Sequence, residues 1–297
     1  DAVKFQSIRF DQLYQPEAED ESFRKWFEQI ELNESWYAKL AAKAHDEGVD
    51  FLSAPTYEKA IDLLEDVDVP AYKLASPQVQ GNLAVVRKAA MTGKPLIMSM
   101  GYCEYAEIEA ALAVCRDAGN RQIIPLHCIS KYPMAPGEGN LSFIRTLSEM
   151  TQCPVGFSDH SLGPHLAIVA VALGACIIEK HVTMDRSQAG PDHHFAMTFG
   201  EFSDMVEKIR EVEEALGSGQ RPRLLEEEYQ QREAFVLKAF ANKDIAIDEI
   251  IDEGSLTFLR ASQDGIGIGD GHLLFNRRAV TNISSGQLVT WAMIGKD

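Results

Sequence analysis

The chain has 297 residues, 45% of them apolar, and 28 lysines and arginines against 45 aspartates and glutamates, a formal charge of -17 at pH 7. That length holds one large domain of about 200 to 250 residues and a small one. So acidic a balance excludes nucleic acid and anionic membranes as partners, since both reward lysine and arginine, and an anionic substrate must be held by local basic residues.

Seven short apolar runs alternate with helical segments: Val3 to Gln6, Asp50 to Ser53, Tyr72 to Ala75, Leu96 to Ser99, Gln122 to His127, Val155 to Ser158 and Cys176 to His181. Such alternation predicts an α/β fold with one parallel sheet. The helix from Tyr105 to Asp117 stops before Gly119, and the one from Phe202 to Leu216 carries an apolar stripe at 202, 205, 206, 209, 212 and 216. Thr198 and Glu201 form a capping box ahead of it, and Gly217 ends it. Polar groups follow nearly every strand: Lys4 and Gln6, Ser53, Lys73 and Ser76, Ser99, His127 and Ser130, Ser158 and His160, Lys180 and His181. A full ring of such tips favours a barrel over an open sheet, where function clusters at one switch point. Seven strands are one short of eight, and the chain starts almost inside a strand, so a first βα unit is expected to be missing. With only these residues the barrel would be open, with an exposed strand edge, and the protein aggregation-prone or inactive.

A barrel domain is therefore expected over 1–217. A polar, charged linker follows over 218–235, and a small β-rich domain over 236–297 with strand-like pieces at Val236 to Ala239, Leu256 to Leu259, Ala279 to Asn282 and Leu288 to Trp291. The run from Gly265 to Gly271 misplaces its third glycine for a dinucleotide fingerprint and reads as a turn-rich loop. Five cysteines without regular spacing read as a reduced, cytoplasmic protein. No apolar run approaches the roughly 20 residues of a membrane span, and the first residues lack the pattern of a signal peptide.

Residues 156–194 are the densest in chemistry: Gly156-Phe-Ser-Asp-His160, Glu179-Lys-His181 and Gly190-Pro-Asp-His-His194 follow one another, and five of the eight histidines fall there. His160 and His181 end neighbouring strands and point into one space. Two readings stand: hydrogen-bonded structural histidines, or a pair holding a divalent ion, with Asp159 and Glu179 as neighbours that fix tautomer and charge. Manganese or magnesium suits the oxygen-rich surroundings better than zinc.

Eight ordered segments resemble the sialic acid synthase family: Lys4-Phe-Gln6, Tyr72-Lys-Leu-Ala-Ser76, Ser99-Met-Gly101, Leu126-His-Cys128 with Tyr132-Pro133, Gly156-Phe-Ser-Asp-His160, Ala172-Leu-Gly-Ala175, Glu179-Lys-His181 and Gly190-Pro-Asp-His193. The last 60 or so residues resemble the antifreeze-like domain appended to those synthases. The resemblance implies a (β/α)8 barrel with its first βα unit missing here, and condensation of phosphoenolpyruvate with N-acetylmannosamine or a related N-acetylated sugar to a nine-carbon 2-keto acid and phosphate. It further implies Mn or Mg on His160 and His181, and phosphoenolpyruvate on Lys4, Lys73, Ser130 and Ser158, with Ser76 nearby. Gln6, Tyr132 and Asp192 would contact the sugar, and Arg260 would reach the sugar of the partner subunit in a domain-swapped homodimer. His160, His181 and Lys73 would carry the catalysis. Two residues depart from the family pattern: Gln78 replaces a glutamate that engages the sugar, and Met100 a threonine that donates a hydroxyl to phosphoenolpyruvate. They keep two alternatives open: a synthase of another nonulosonic acid (legionaminic, pseudaminic or spore-coat-type), or a catalytically silent sugar-binding relative.

Overall fold

A computed structural model describes residues 1–295, in two compact units, Asp1–Ser218 and Gly219 onward. In the first unit, β1 (Ala2–Ser7) leads through α1 (Phe10–Leu13), α2 (Glu21–Ile30) and α3 (Tyr37–Asp46) to β2 (Asp50–Pro55), and α4 (Glu58–Glu65) leads to β3 (Tyr72–Leu74). Next, α5 (Ser76–Gly81) and α6 (Leu83–Met91) precede β4 (Leu96–Ser99), and α7 (Tyr105–Asp117) precedes β5 (Ile123–Cys128). Finally α8 (Phe143–Thr151) precedes β6 (Val155–Asp159), α9 (His165–Ala172) precedes β7 (Ala175–Lys180), and a short parallel pair, β8 (Val182–Thr183) with β9 (Met197–Thr198), leads into α10 (Phe199–Leu216).

All pairings among β1 to β7 are parallel: β1 with β2, and β3 through β7 in sequence order. The sheet is strongly curled. In a flat sheet β3 and β7 would stand four spacings apart, about 19 Å, yet Lys73 on β3 and Lys4 on β1 both reach Glu179 on β7, at 3.5 and 3.1 Å.

Alternate residues of each strand face opposite ways. The face toward the helices carries Phe51, Tyr72, Leu74, Leu96, Met98, Ile123, Val155 and Phe157, all buried in one core with α3, α4, α6, α7 and α8. Met98 and Phe157 are fully enclosed, and truncating either to alanine would cost about 2 to 5 kcal/mol. Met100 has the same parity as Met98 and packs into that core at 4% exposure, so it offers nothing to a ligand.

In the second unit α11 (Glu226–Phe235) precedes an antiparallel pair, β10 (Leu237–Ala241) with β11 (Leu256–Arg260). The segment expected as a linker thus contains a helix. Three glutamates occupy its first turn, where the helix dipole favours them, and the Glu228 carboxylate accepts the Leu225 N–H at 2.7 Å. The expected strands at 279–282 and 288–291 are single bridges, Ala279 with Ile294 and Phe240 with Leu288.

Candidate active site

The strand face opposite the core collects a different residue set: Lys4 and Gln6 on β1, Lys73 on β3, Cys128 on β5, Ser158 on β6 and Glu179 on β7, with His160 and His181 continuing the last two. Gly156 belongs to this face, and a Cβ there would lie 2.4 Å from Leu126 and 2.6 Å from the Ile177 carbonyl. Only glycine lets these strands close up below the polar groups.

Three strands meet at one carboxylate. Lys4 Nζ lies 3.1 Å from Glu179 Oε2, Lys73 Nζ lies 3.5 Å from Oε1, and the Ser158 hydroxyl donates to Oε1 at 2.8 Å. Burial pushes the Lys73 ammonium down to about 8 against the opposing pull of Glu179. Burial alone would raise the Glu179 carboxyl, but the charges of Lys73 and Lys4 and the Ser158 hydrogen bond hold it well below the usual range. Two ammonium groups share one counter-anion here, which leaves a net positive pocket inside a strongly acidic protein.

Beside it, Ser76, Cys128 and Ser130 surround Gly101. The Gly101 N–H donates to Ser76 Oγ at 3.0 Å, and a Cβ on that glycine would sit 2.3 Å from Ser130 Oγ and 2.8 Å from Ser76 Oγ. Cys128 Sγ contacts Ser76 Oγ at 3.7 Å, Ser130 Oγ at 4.0 Å and His160 Nδ1 at 3.9 Å, joining the serines to the histidines. Burial raises the thiol, so Cys128 stays protonated and acts as a packing and hydrogen-bonding group. The Ser99 hydroxyl and Gln78 Oε1 are buried without a hydrogen-bond partner among the described residues.

The histidines form the third group. His160 Nδ1 donates to the Ile129 carbonyl at 2.8 Å, which leaves Nε2 as a free lone pair, and burial pushes this imidazole down to about 4, neutral at pH 7. His181 Nδ1 lies 3.2 Å from Asp192 Oδ2, and that hydrogen bond holds the Asp192 carboxyl below its ordinary value. The imidazole centroids are 5.4 Å apart, with the Tyr132 ring 4.1 Å from His160 and the Phe195 ring 5.0 Å from His181. Two imidazoles anchored through Nδ1 with Nε2 free are the usual donors to a divalent transition ion. Among the described residues no group of three or more His, Cys, Asp and Glu donors gathers, so water or substrate oxygens would complete the shell of such an ion.

The site thus brings together Lys4, Lys73 and Ser158, then Ser76 and Ser130, then His160, His181, Tyr132 and Asp192. Gln6 is exposed on the Lys4 face of β1, and Gln78 is buried on α5. Arg260 lies in the second unit on β11, its guanidinium 4.7 Å from the Phe235 ring centre. Two expectations need correction. Asp159 and Glu179 do not hydrogen-bond the imidazoles: Asp159 points to the opposite face and pairs with Lys180 at 2.7 Å, while Glu179 serves the lysines, and the tautomers are set by the Ile129 carbonyl and Asp192. Ser53, His127 and Lys180 also leave the ring of functional tips, because their parity turns them toward the helices. There Ser53 bonds Ser7 at 2.7 Å and His127 bonds the Gly139 carbonyl at 2.6 Å. Sequence reasoning missed the central place of Glu179, Cys128 and Gly101, although each lies two residues from a predicted site residue or strand-tip serine, on the same strand face.

A model of the NeuB family matches residues 1–221. An uncharacterized protein of Methanocaldococcus jannaschii is 36% identical over 297 residues, covering 98% of this chain and 85% of its own. The N,N'-diacetyllegionaminic acid synthase of Campylobacter jejuni is 33% identical over 303 residues, covering 97% of this chain and 90% of its own. Among solved structures, a spore coat polysaccharide biosynthesis protein of Bacillus subtilis superposes with a TM-score of 0.65 at 30% identity, covering 100% of this chain and 87% of that one.

Proposed function

This chain belongs to the NeuB family of nonulosonic acid synthases, and we propose that it condenses phosphoenolpyruvate with N-acetylmannosamine or a related N-acetylated sugar, releasing phosphate and a nine-carbon sialic acid. The observation that carries this reading is the convergence of Lys4 and Lys73 on one carboxylate, on the strand face that also presents the two imidazoles. The curled parallel sheet is taken as the wall of a (β/α)8-type barrel, and the second unit as the antifreeze-like domain. A cytoplasmic setting rests on the irregularly spaced cysteines, and Arg260 reaching the sugar of a partner subunit in a domain-swapped dimer rests on the family resemblance.

Phosphoenolpyruvate bears a phosphate and a carboxylate, and the two lysines with the Ser76, Ser130 and Ser158 hydroxyls supply matching donors. Its enol carbon forms a bond to the aldehyde carbon of the sugar as the C=O π bond breaks and its electron pair passes to the aldehyde oxygen, which takes up a proton, leaving an oxocarbenium-like C2. Water adds at C2, and the tetrahedral adduct expels phosphate by C–O cleavage to give the 2-keto acid. Glu179 would take the proton from that water: once the ligand's anionic groups engage Lys4 and Lys73, the charges that depress its pKa are shared, and its basicity rises. A Mn or Mg ion held by His160 and His181 would supply Lewis acidity for the aldehyde oxygen. Tyr132 and Asp192 border the same histidines and would contact the sugar, with Gln6 on the adjoining strand face.

A second reading changes only the sugar. Gln78 carries a neutral amide where the family pattern has a glutamate, its Oε1 buried with no hydrogen-bond partner among the described residues, and this favours a legionaminic, pseudaminic or spore-coat-type substrate. The assay is phosphate release from phosphoenolpyruvate with Mn, run against N-acetylmannosamine and a panel of other N-acetylated sugars. Release with N-acetylmannosamine supports the first reading, release only with other sugars selects the second, and no release with any of them leaves the silent relative standing. His160→Ala and His181→Ala should each abolish turnover in a folded protein.

A further inference from the structure

The ends of β6 and β7 carry a buried ion pair on the face away from the histidines. Asp159 and Lys180 are register partners across the two strands, and Lys180 Nζ donates to Asp159 Oδ2 at 2.7 Å with side-chain exposures of 2% and 0%. Lys180 also donates to the Ser161 carbonyl at 2.5 Å, and the Ser161 N–H donates to Asp159 Oδ1 at 2.8 Å. Each partner directly precedes one imidazole, Asp159 before His160 and Lys180 before His181. The β6–β7 pairing ends at this rung. Beyond it the two backbones part: the His160 carbonyl accepts from the Met134 N–H at 3.0 Å and the His181 carbonyl from the Met197 N–H at 2.9 Å. The ion pair is thus the last lateral tie between the strands before the histidines.

Stability gives little reason for such a pair. Desolvating two charges costs about as much as their attraction returns, and an apolar pair of similar volume often does as well or better. What charge offers over an apolar pair is direction, a short contact with three linked hydrogen bonds that admits little sliding of one strand against the other.

We propose that Asp159 and Lys180 are positioning residues, whose ion pair sets the separation of His160 and His181 and so their ability to share one divalent cation. This rests on the metal reading given above. Alternation turns the pair itself away from the site, so it acts through the backbone of the next residue in each strand.

The test is Mn2+ binding, followed by the electron paramagnetic resonance signal of free Mn2+ and by calorimetry, with thermal unfolding measured alongside. Three proteins are compared: the unchanged chain, the double variant Asp159→Leu with Lys180→Met, and Asp159→Glu, which keeps both charges but lengthens one arm by a methylene. The double variant is expected to unfold at a similar temperature and to bind Mn2+ about tenfold or more weakly, the loss typical of groups that orient metal ligands. A folded double variant with affinity within about twofold of the unchanged chain overturns the proposal. If the double variant does not fold, Asp159→Glu decides by the same measure: weaker binding at unchanged unfolding temperature supports positioning, and unchanged affinity refutes it. Failure of the unchanged chain to bind Mn2+ sinks the metal reading and this inference with it, whereas unchanged affinity in the variants sinks the inference alone.

Discussion

Lys73 shows how one buried residue ties folding to chemistry. The residue is 2% exposed, and its ammonium is held near 8 because burial outweighs the attraction of Glu179. Above that value it loses the charge that an anionic substrate needs. The free protein's kcat/KM for phosphoenolpyruvate should therefore fall as pH rises through about 8. Arginine stays protonated throughout this range, so Lys73→Arg should abolish that limb even if it lowers the plateau. A profile of the unchanged protein that stays flat to about pH 9.5 would refute a substrate-binding Lys73 that loses its charge near 8. Lys4, Lys73, His160 and His181 were legible in the sequence because a charge or imidazole at the end of an apolar run is conspicuous. Glu179 was less so. Its neighbour could as well have been His181 as Lys73, and only the contact with Lys4 and Lys73 shows which it serves.

Elements with strong local signals follow the sequence closely. The helix read as Tyr105 to Asp117 is α7, and the capping box ahead of α10 forms as expected, with the Thr198 hydroxyl accepting the Glu201 N–H at 3.4 Å and Glu201 Oε2 accepting the Thr198 N–H at 2.8 Å. Thr198→Ala should cost about 1 kcal/mol, seen as a lower urea midpoint at unchanged m-value, with phosphate release per folded molecule unaltered. An equal midpoint would mean that the cap adds nothing. Helix α11 escaped the sequence reading because Glu226-Glu-Glu-Tyr-Gln-Gln-Arg232 has no apolar stripe, and an all-polar helix is held by its end charges and local pairs, which periodicity does not register. Two expected strands of the second unit shrank to single bridges because four or five residues with apolar character suit a bridge within an irregular, turn-rich core as well as a strand.

The molecule divides at residue 218, and residues 219–225 between α10 and α11 form no helix or strand. Arg221 and Arg223 are exposed there. Limited trypsin digestion should cut first after Arg223, since Pro222 protects the bond after Arg221, leaving a fragment of the first unit that resists further cleavage. Early cuts within 1–218 instead would show that this unit is not cooperative. The acidic excess over the whole chain makes the local pairing of Lys4 and Lys73 the more telling, because a general negative field would repel the anion that the proposed site is to bind. What the sequence determined by itself was the order of strands and helices and, through the period of two, which residues share a strand face. Both follow from local geometry. The tertiary structure decided which of those residues meet: Lys4, Lys73 and Glu179 lie on the first, third and seventh strands, and their contact depends on the curl of the five-stranded β3–β7 sheet and on the packing that brings the β1–β2 pair against it. The opposite facing of Asp159 and His160 is local; that Asp159 finds Lys180 while His160 finds His181 depends on the register of two strands joined through a helix.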